Sequence, residues 1–405
     1  MQAITRRTFL KGGATVITVG LAMPSVFTRA VVHAAGNQRT DGRVLVIVQM
    51  AGGNDGLNTV IPYRDPVYRQ TRPTRAIPEG DLLIPDGDHA FHPSLAPLRD
   101  LWDGGELAVV EGVGYPRPNL SHFESMAIWQ SADPQRSMAH GGWLAGLVEG
   151  SVEEGGHPFA GLSVGNNLPP ALCCPRMAPP SLDNPKSFRL NGDAARQQAL
   201  LRLYDSYQPP APYAALLDST ARGAVESAAV LQRMSATYQP AVDYPQERFS
   251  QSLQLLAQAI HTIPGLRVGH VSIGGFDTHA NQPATHARLL ATLAGGLAAF
   301  QADVAAHGHG ARVVTMTWSE FGRRVNENAS GGTDHGTAGP MFLLGQPVRG
   351  GFHGAPSPLN RLSGGNLSYT TDFRAVYASV VEDWLGVEAR DVMPEPVAPL
   401  PLLRS

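Results

Sequence analysis

Acidic and histidine side chains are grouped in four short segments of the sequence, and each segment follows an apolar run. The segments are 53–56, 119–124, 274–279 and 319–335. Short, β-branched apolar runs are typical of buried strands, and in open α/β sheets ligands bind beyond the carboxyl ends of the strands. We therefore expect the four segments to meet at one edge of a sheet.

Three of these segments offer candidate metal ligands. Asp277 and His279 are separated by one residue, so both can reach a single ion from an extended loop, and Zn²⁺ accepts such mixed oxygen and nitrogen ligands. Asp55 follows glycines that would let an ion approach the backbone, although Asn-Asp-Gly is equally typical of a tight turn. The segment 319–335 adds the candidate ligands Glu320, Asp334 and His335.

The segment 119–124 admits two interpretations. Ser121 and Glu124 have the spacing of a capping box, which predicts the start of a helix. A serine at that position also faces unpaired N–H groups and the positive end of the helix dipole, which suits a nucleophile that attacks an anionic group. His122 could be a ligand, a base or a surface residue.

Strand and helix patterns alternate along the chain, which predicts a layered α/β fold with a parallel sheet between two helical layers. Strands are predicted at 44–48, 107–110, 161–164, 268–273, 313–318 and 341–344, and helices from 121, at 283–306 and at 371–386. The pattern from 193 to about 263 is helical without strands, so we expect a helical insertion or cap there.

The amino-terminal residues 1–35 have the features of a twin-arginine export signal. Arg6 and Arg7 precede an apolar segment, and small residues follow at Val32-His33-Ala34, in the order that a signal peptidase requires. A chance arginine pair before a buried helix is the alternative. The apolar run is too short and too rich in glycine for a stable membrane span. We expect a periplasmic or secreted protein that meets the twin-arginine translocase during export.

Composition limits the classes of partner. The chain has 405 residues, a net charge of −3 and a pI near 6.5, which give no electrostatic case for nucleic-acid binding. Its two cysteines are neighbours, Cys173 and Cys174, so no disulfide framework is expected.

Several motifs together resemble one family. They are Gly-Gly-Asn-Asp-Gly-Leu-Asn, Leu-Ser-His-Phe, Asp-Thr-His, Ser-Glu-Phe-Gly-Arg, Asp-His-Gly-Thr-Ala and Thr-Asp-Phe-Arg-Ala-Val-Tyr. With the twin-arginine start, they look like the exported bacterial domain-of-unknown-function family numbered 1501, which is grouped with the alkaline phosphatase and sulfatase superfamily. The resemblance implies a three-layer α/β/α sandwich with a mostly parallel central sheet over residues 36–405, with the helical insertion at about 193–263.

The resemblance also implies roles for individual residues. Asp55 matches the first acidic metal ligand and Ser121 the nucleophile, while one metal is matched by Asp277, His279 and His335 at a spacing tighter than usual. Glu320 matches the acidic ligand of a second metal, but Phe321 stands where that pattern has a histidine. The modified-nucleophile segment of sulfatases is also missing, since Met177 replaces its arginine in Cys173-Cys174-Pro175-Arg176-Met177.

These observations favour an exported, metal-dependent hydrolase of anionic esters, most simply a phosphoesterase. Ser121 would attack the ester, and Arg323 or Arg324 could bind its oxygens in bidentate fashion. The metal is expected to be Zn²⁺, with Ca²⁺, Mg²⁺ or Mn²⁺ as alternatives. Because Phe321 departs from the family pattern, a catalytically inactive binding or scaffold protein with the same fold is the alternative.

Overall fold

The computed structural model describes residues 42–83, 87–135, 141–153, 159–174, 179–182 and 238–404. The predicted export signal and the part of the predicted insertion from 193 to 237 lie outside the described residues.

Short apolar runs form the strands, as their β-branched composition predicts. In chain order the described strands are β1 (Val44–Ala51), β2 (Val60–Ile61), β3 (Ala90–Phe91), β4 (Leu107–Gly114), β5 (Gly161–Val164), β6 (Ser181–Leu182), β7 (Val268–Gly274), β8 (Val313–Trp318), β9 (Gly339–Leu344), β10 (Gly351–His353), β11 (Leu362–Ser363), β12 (Asn366–Leu367) and β13 (Thr371–Asp372). All six strands predicted from the sequence are present.

Nine of the described strands form one sheet in the order β10-β4-β9-β8-β1-β7-β5-β6, with β13 paired to β4. Strand β9 runs antiparallel to both of its neighbours, β4 and β8, and the other pairs are parallel. The carboxyl ends of β1, β4, β7 and β8 therefore share one edge, and the chain that joins β8 to β9 returns at that same edge. The mostly parallel sheet predicted from the sequence is confirmed.

Helices cover both faces of this sheet. Within the described residues the α-helices are α1 (Pro66–Thr71), α2 (Arg99–Asp103), α3 (His122–Ser131), α4 (Ala145–Glu153), α5 (Arg248–Thr262), α6 (Gln282–Ala306), α7 (Phe373–Ala378) and α8 (Ala389–Val392), and a π-helical segment, Ser379–Trp384, continues α7. The predicted helices at 121, 283–306 and 371–386 correspond to α3, α6 and α7 with its continuation.

Strand β1 shows why the fold has three layers. Val44, Val46 and Val48 point to one core, which contains the apolar faces of α5 and α6. Leu45 and Ile47 point to the other core, formed with α3, α4 and α7. Alternate side chains of a strand leave opposite faces of the sheet, so a strand that is apolar throughout requires a core on each side. This is the α/β/α sandwich that was predicted.

Helices α5 and α6 both contribute to the first core. Helix α5 belongs to the segment 193–263, which the sequence suggested to be an insertion or cap, but it packs on the sheet against β5 and β7 and completes the layer. Helix α6 is long and apolar enough to cross a membrane by length and composition. However, its side chains Leu290, Leu297 and Phe300 are buried in the first core, as in a core helix of a folded domain.

Candidate metal centre

Asp277 is the centre of a cluster of histidines at the carboxyl edge of the sheet. His279 Nε2 and His335 Nε2 lie 3.0 and 3.1 Å from Asp277 Oδ1, and His122 Nε2 lies 3.5 Å from Asp277 Oδ2. We call these four residues the Asp277 cluster. They come from three of the four predicted segments, those after β4, β7 and β8, so the predicted convergence holds for these segments.

The neighbours of the His335 and His122 rings show that each Nδ1 carries a hydrogen. His335 Nδ1 lies 2.8 Å from the carbonyl oxygen of Leu120, which can only accept a hydrogen bond, so Nδ1 carries a hydrogen. His122 Nδ1 lies 2.7 Å from Glu320 Oε1, and the same reasoning applies. His279 Nδ1 makes a longer contact of 3.4 Å with Asp334 Oδ1.

Three atoms that could each bind a metal ion lie in contact with one another. The Nε2 atoms of His279 and His335 are 2.9 Å apart, and both contact Asp277 Oδ1. The Arg323 guanidinium borders this group, at 2.7 Å from Asp277 Oδ1 and 3.4 Å from His279 Nε2. Imidazoles whose Nδ1 atoms contact carboxylate or carbonyl oxygens are typical of histidine metal ligands.

The donor set fits a transition metal ion better than a hard cation. Imidazole nitrogens with one carboxylate suit Zn²⁺ and similar ions, whereas Ca²⁺ and Mg²⁺ prefer oxygen ligands. One ligand atom from each of His122, Asp277 and His335 also lies within 4.8 Å of the others. Within the part of the chain that the structure describes, no other such group of three metal-binding side chains is found.

Glu320 and Asp334, both predicted as metal ligands, contact imidazole rings of the Asp277 cluster. Glu320 is almost fully buried, and its Oε1 accepts hydrogen bonds from His122 and from the amide of Gly52, at 2.9 Å for the latter. Asp334 contacts His279 and accepts from Asn328 Nδ2 at 3.0 Å. In this geometry the two carboxylates orient the imidazoles of the cluster instead of facing a cation themselves.

Arg323, predicted to bind the substrate, is buried and fully occupied. Its guanidinium donates to Asp277 Oδ1 at 2.7 Å and to four backbone carbonyl oxygens, those of Gly52, Gly53, Phe276 and Thr333. A side chain that is 1% exposed, with every N–H direction used, cannot also clamp a ligand. This geometry corrects the substrate-binding role of Arg323 to a structural one, while its neighbour Arg324 is exposed.

Arg323 also sets the charge of the central carboxylate. Partial burial alone would raise the pKa of Asp277, but the hydrogen bonds from Arg323 and His335 and the Arg323 charge lower this pKa to about 2. Asp277 is therefore an anion throughout the neutral range, as a metal ligand must be.

Asp55 does not join the Asp277 cluster. Its carboxylate is completely buried and forms an ion pair with Arg72 at 2.6 Å, and Gln282 donates to the same oxygen. Burial alone would raise the pKa of Asp55, but the charge and hydrogen bond of Arg72 lower it. Its second oxygen, Oδ1, has no hydrogen-bond partner among the described residues. The sequence-based role of Asp55 as a metal ligand has no support in this geometry.

Ser121 is the N-cap residue of α3 but does not cap the helix with its side chain. The predicted helix start is correct, whereas the predicted capping hydrogen bond is not formed. The Ser121 side chain is exposed, and no hydrogen bond joins it to any described residue of the Asp277 cluster. Its amide instead donates to Asn119 Oδ1 at 2.8 Å.

Sequence reasoning left the role of His122 open and did not single out Leu120 or Arg72. The signal for His122 was its place directly after Ser121, at a helix start beyond a strand. His335 contacts the backbone carbonyl of Leu120, so the residue type at position 120 does not reveal this contact. Arg72 is separated from Asp55 by the strand β2 and helix α1, so only the folded chain shows that they pair.

Comparison with known proteins gives a family but no activity. Structures that share the overall fold at low similarity include Ps i-CgsB in complex with k-i-k-neocarrahexaose, with 9% sequence identity and a TM-score of 0.42 over 87% of this chain and 75% of that chain. The lipoteichoic acid synthase LtaP from Listeria monocytogenes has 8% identity and a TM-score of 0.37 over 91% of this chain and 79% of that chain. PsFucS1 sulfatase from Pseudoalteromonas sp. has 10% identity and a TM-score of 0.33 over 88% of this chain and 74% of that chain. These likenesses are too distant to carry an argument about this chain. No curated protein matches it.

The family model described as "Protein of unknown function (DUF1501)" matches residues 108–363, which is more than half of the 405 residues. The matched region contains β7, β8, all of β4 except its first residue, and every residue of the Asp277 cluster. The family that the sequence motifs suggested is thereby confirmed, and the chain belongs to the DUF1501 family.

Proposed function

We propose that this protein is a metal-dependent hydrolase of anionic esters, and more narrowly a phosphoesterase that acts after export. The observation that carries the proposal is the set of three neighbouring metal-binding atoms, His279 Nε2, His335 Nε2 and Asp277 Oδ1, within 2.9 to 3.1 Å of one another. Such a set suits a bound metal ion, and it lies where α/β sheets bind their ligands.

An anionic substrate is supported by the start of α3 beside the cluster. The first N–H groups of a helix have no partner within the helix, and the Ser121 side chain does not cap them. The His335 contact with Leu120 O holds this helix start against the cluster. Helix N-termini attract phosphate and similar anions through these N–H groups and the helix dipole.

The residues of the chain have distinct tasks in this proposal. Asp277, His279 and His335 would hold the metal, and Glu320, Asp334 and Arg323 would hold those ligands in position. When bound, the metal would polarise the ester and lower the pKa of bound water. The first-turn N–H groups of α3 would bind the non-bridging oxygens of the ester.

Phosphate in preference to sulfate is supported by the sequence, because the segment with Cys173 and Cys174 lacks the arginine of the sulfatase motif. Export is supported by the arginine pair, apolar segment and small residues of 1–35. The role of Ser121 as nucleophile stays a prediction from the family resemblance.

The test combines metal analysis with a substrate panel. Protein folded in the cytoplasm should contain about one transition metal ion per chain, measured by elemental analysis, and should hydrolyse para-nitrophenyl phosphate or bis-para-nitrophenyl phosphate but not para-nitrophenyl sulfate. His335→Ala should lose the metal and the activity, because it removes one of the three proposed metal ligands. The matched control is His261→Ala, which removes an exposed imidazole at the end of α5, before β7 and so at the opposite edge of the sheet.

The outcomes separate the two functions considered. Metal binding with ester turnover that is lost in His335→Ala and kept in His261→Ala supports the hydrolase. A wild-type protein that binds no metal and hydrolyses none of these esters contradicts it, and favours the binding or scaffold protein. Hydrolysis of the sulfate ester alone would retain the hydrolase and overturn the preference for phosphate.

A further inference from the structure

We infer that Phe123 determines the substrate specificity of this site, and that its ring stacks on a ring in the alcohol part of the ester. The inference rests on the proposed function and narrows the substrate class to phosphate esters of ring-bearing alcohols, in which the ring is aromatic or a sugar. It follows from the exposure of Phe123, from its place at the start of α3 and from the direction of the side chain there.

Phe123 is the most exposed large apolar side chain in the described part of the chain. It is 85% exposed, and among the described residues only Tyr369, at 39%, is also a large hydrophobic residue in the exposed class. An apolar side chain that remains in water is most informative where it borders a binding site. Phe123 has such a location, because it directly follows His122, whose Nε2 lies 3.5 Å from Asp277 Oδ2.

The packing of α3 does not require an aromatic residue at position 123. The buried face of the helix carries Ile128 and Trp129, which lie in the second core. Phe123 belongs to none of the hydrophobic clusters of the described residues. A polar residue would therefore serve the fold equally well at this position, whereas the binding of a ligand with an apolar ring gives a reason for phenylalanine.

The geometry of a helix directs the Phe123 side chain toward the bound ester. The Cα–Cβ bond of a helical residue is tilted toward the helix N-terminus. The first-turn N–H groups, which bind the ester oxygens in the proposed function, lie at that same end. Successive residues are about 100° apart around the helix axis, so His122 faces the Asp277 cluster while Phe123 lies next to it on the solvent side.

An ester bound at this place has its two parts in different surroundings. The phosphate lies between the Asp277 cluster and the start of α3, and the alcohol part extends toward solvent past Phe123. Met126 and Ala127, one turn further along α3 on the same face, are apolar and half-buried, so the apolar surface continues along the helix. A flat ring can stack on such a surface, and the C–H groups on one face of a sugar ring can contact it in the same way. An acyclic alcohol has no such face.

The test compares three phosphate monoesters in wild-type holoprotein and in Phe123→Ala. Para-nitrophenyl phosphate has an aromatic ring, glucose 6-phosphate has a sugar ring, and glycerol 3-phosphate has no ring. Each ester is compared with itself in the two proteins, so differences in intrinsic reactivity cancel. We expect KM to rise about 3- to 10-fold for at least one ring-bearing ester, with its kcat unchanged, because the ring contact is made equally in the ground state and the transition state. The kinetics with glycerol 3-phosphate and the metal content should not change.

Two further replacements separate the ring from other properties of the side chain. Phe123→Tyr keeps the ring and should keep the wild-type KM. Phe123→Leu keeps an apolar side chain without a flat face, and should raise KM for the same ester as Phe123→Ala does. Because position 123 is exposed, all three variants should unfold at the wild-type Tm.

An unreactive pair of ligands gives a readout that does not depend on turnover. Benzylphosphonate and methylphosphonate have the same anionic group, but only benzylphosphonate has a ring. Wild-type holoprotein should bind benzylphosphonate more tightly than methylphosphonate in titration calorimetry, and Phe123→Ala should remove this difference.

The outcomes separate this inference from the proposed function. A rise in KM confined to para-nitrophenyl phosphate assigns an aromatic alcohol, and a rise confined to glucose 6-phosphate assigns a sugar. Unchanged KM values in Phe123→Ala, an equal rise for glycerol 3-phosphate, or a Phe123→Leu variant that behaves as the wild type would exclude the stacking role while the hydrolase remains. A wild type that binds benzylphosphonate through Phe123 but hydrolyses no ester would end the proposed hydrolase and keep this binding site. A wild type that does neither contradicts both.

Discussion

Replacing Arg323 by lysine should destabilise the protein strongly although the charge is kept. The guanidinium joins the loops that follow β1, β7 and β8, through the central carboxylate of Asp277 and the carbonyl oxygens of Gly52, Gly53, Phe276 and Thr333. Lysine has a carbon atom where arginine has Nε, so the 2.7 Å hydrogen bond to Gly53 O is lost. A single ammonium can replace only one of the two terminal nitrogens.

The expected loss follows from these contacts. At least two buried, charge-assisted hydrogen bonds disappear, and each contributes about 1.5–3 kcal/mol. Arg323→Lys should therefore lower the free energy of unfolding by about 3–6 kcal/mol. A domain of this size has a melting entropy of about 0.7–0.8 kcal/mol per kelvin, which corresponds to a decrease in Tm of about 4–8 °C. The ion pair between Arg323 and Asp277 adds little to this loss, because Asp277 is half exposed and water screens the interaction.

Thermal and urea unfolding of metal-depleted protein would measure this loss without the contribution of metal binding. The control is Arg324→Lys at the exposed neighbouring position, which should change stability by less than about 0.5 kcal/mol. If the two variants unfold alike, Arg323 does not hold the loops together, and the geometry described for the site is wrong.

Three further predictions concern other parts of the chain. Asp55→Asn should lower the free energy of unfolding by about 3–5 kcal/mol, because it leaves the buried charge of Arg72 uncompensated. The metal content, measured by elemental analysis, should not change. A proportional loss of metal would restore Asp55 as a ligand. Burial lowers the pKa of His270 and His286 to about 4, so below pH 6.5 the unfolded chain binds protons that the folded chain does not. Stability measured by urea unfolding should therefore fall between about pH 6.5 and pH 4, and a flat profile would contradict the buried neutral state. Replacing both arginines of the amino-terminal pair by lysine should leave the protein in the cytoplasm with its signal uncleaved; a processed form outside the inner membrane would refute the export prediction.

The strands and the edge that holds the site were predictable because they depend on local patterns. An apolar, β-branched run such as that of β8 needs burial on both faces, and this alone places Glu320 and the residues after it at a strand end. The same reasoning predicted that Asp277, His279 and His335 would be close together. In parallel strands, position along the chain determines the edge of the sheet.

The role of each side chain at that edge was not predictable in the same way. Asp55 and Asp277 both follow glycines after a strand, yet Asp55 pairs with Arg72 and Asp277 faces the histidines. The difference lies in which long cationic side chain reaches each carboxylate across the fold. Sequence spacing does not encode such contacts. The burial of Arg323 could not be predicted for the same reason, because its partners belong to loops that are far apart in the sequence.

The position of β1 at the middle of the sheet has a consequence for the timing of folding. Its partners are far along the chain, since Leu45 pairs with Val268 and Val44 with Val313. At synthesis rates of about 5–20 residues per second, β1 leaves the ribosome at least about ten seconds before either neighbour exists. During that interval an eight-residue apolar strand has both of its edges unpaired, and such edges can bind other chains. Folding of this protein is therefore expected to be limited by non-local pairing.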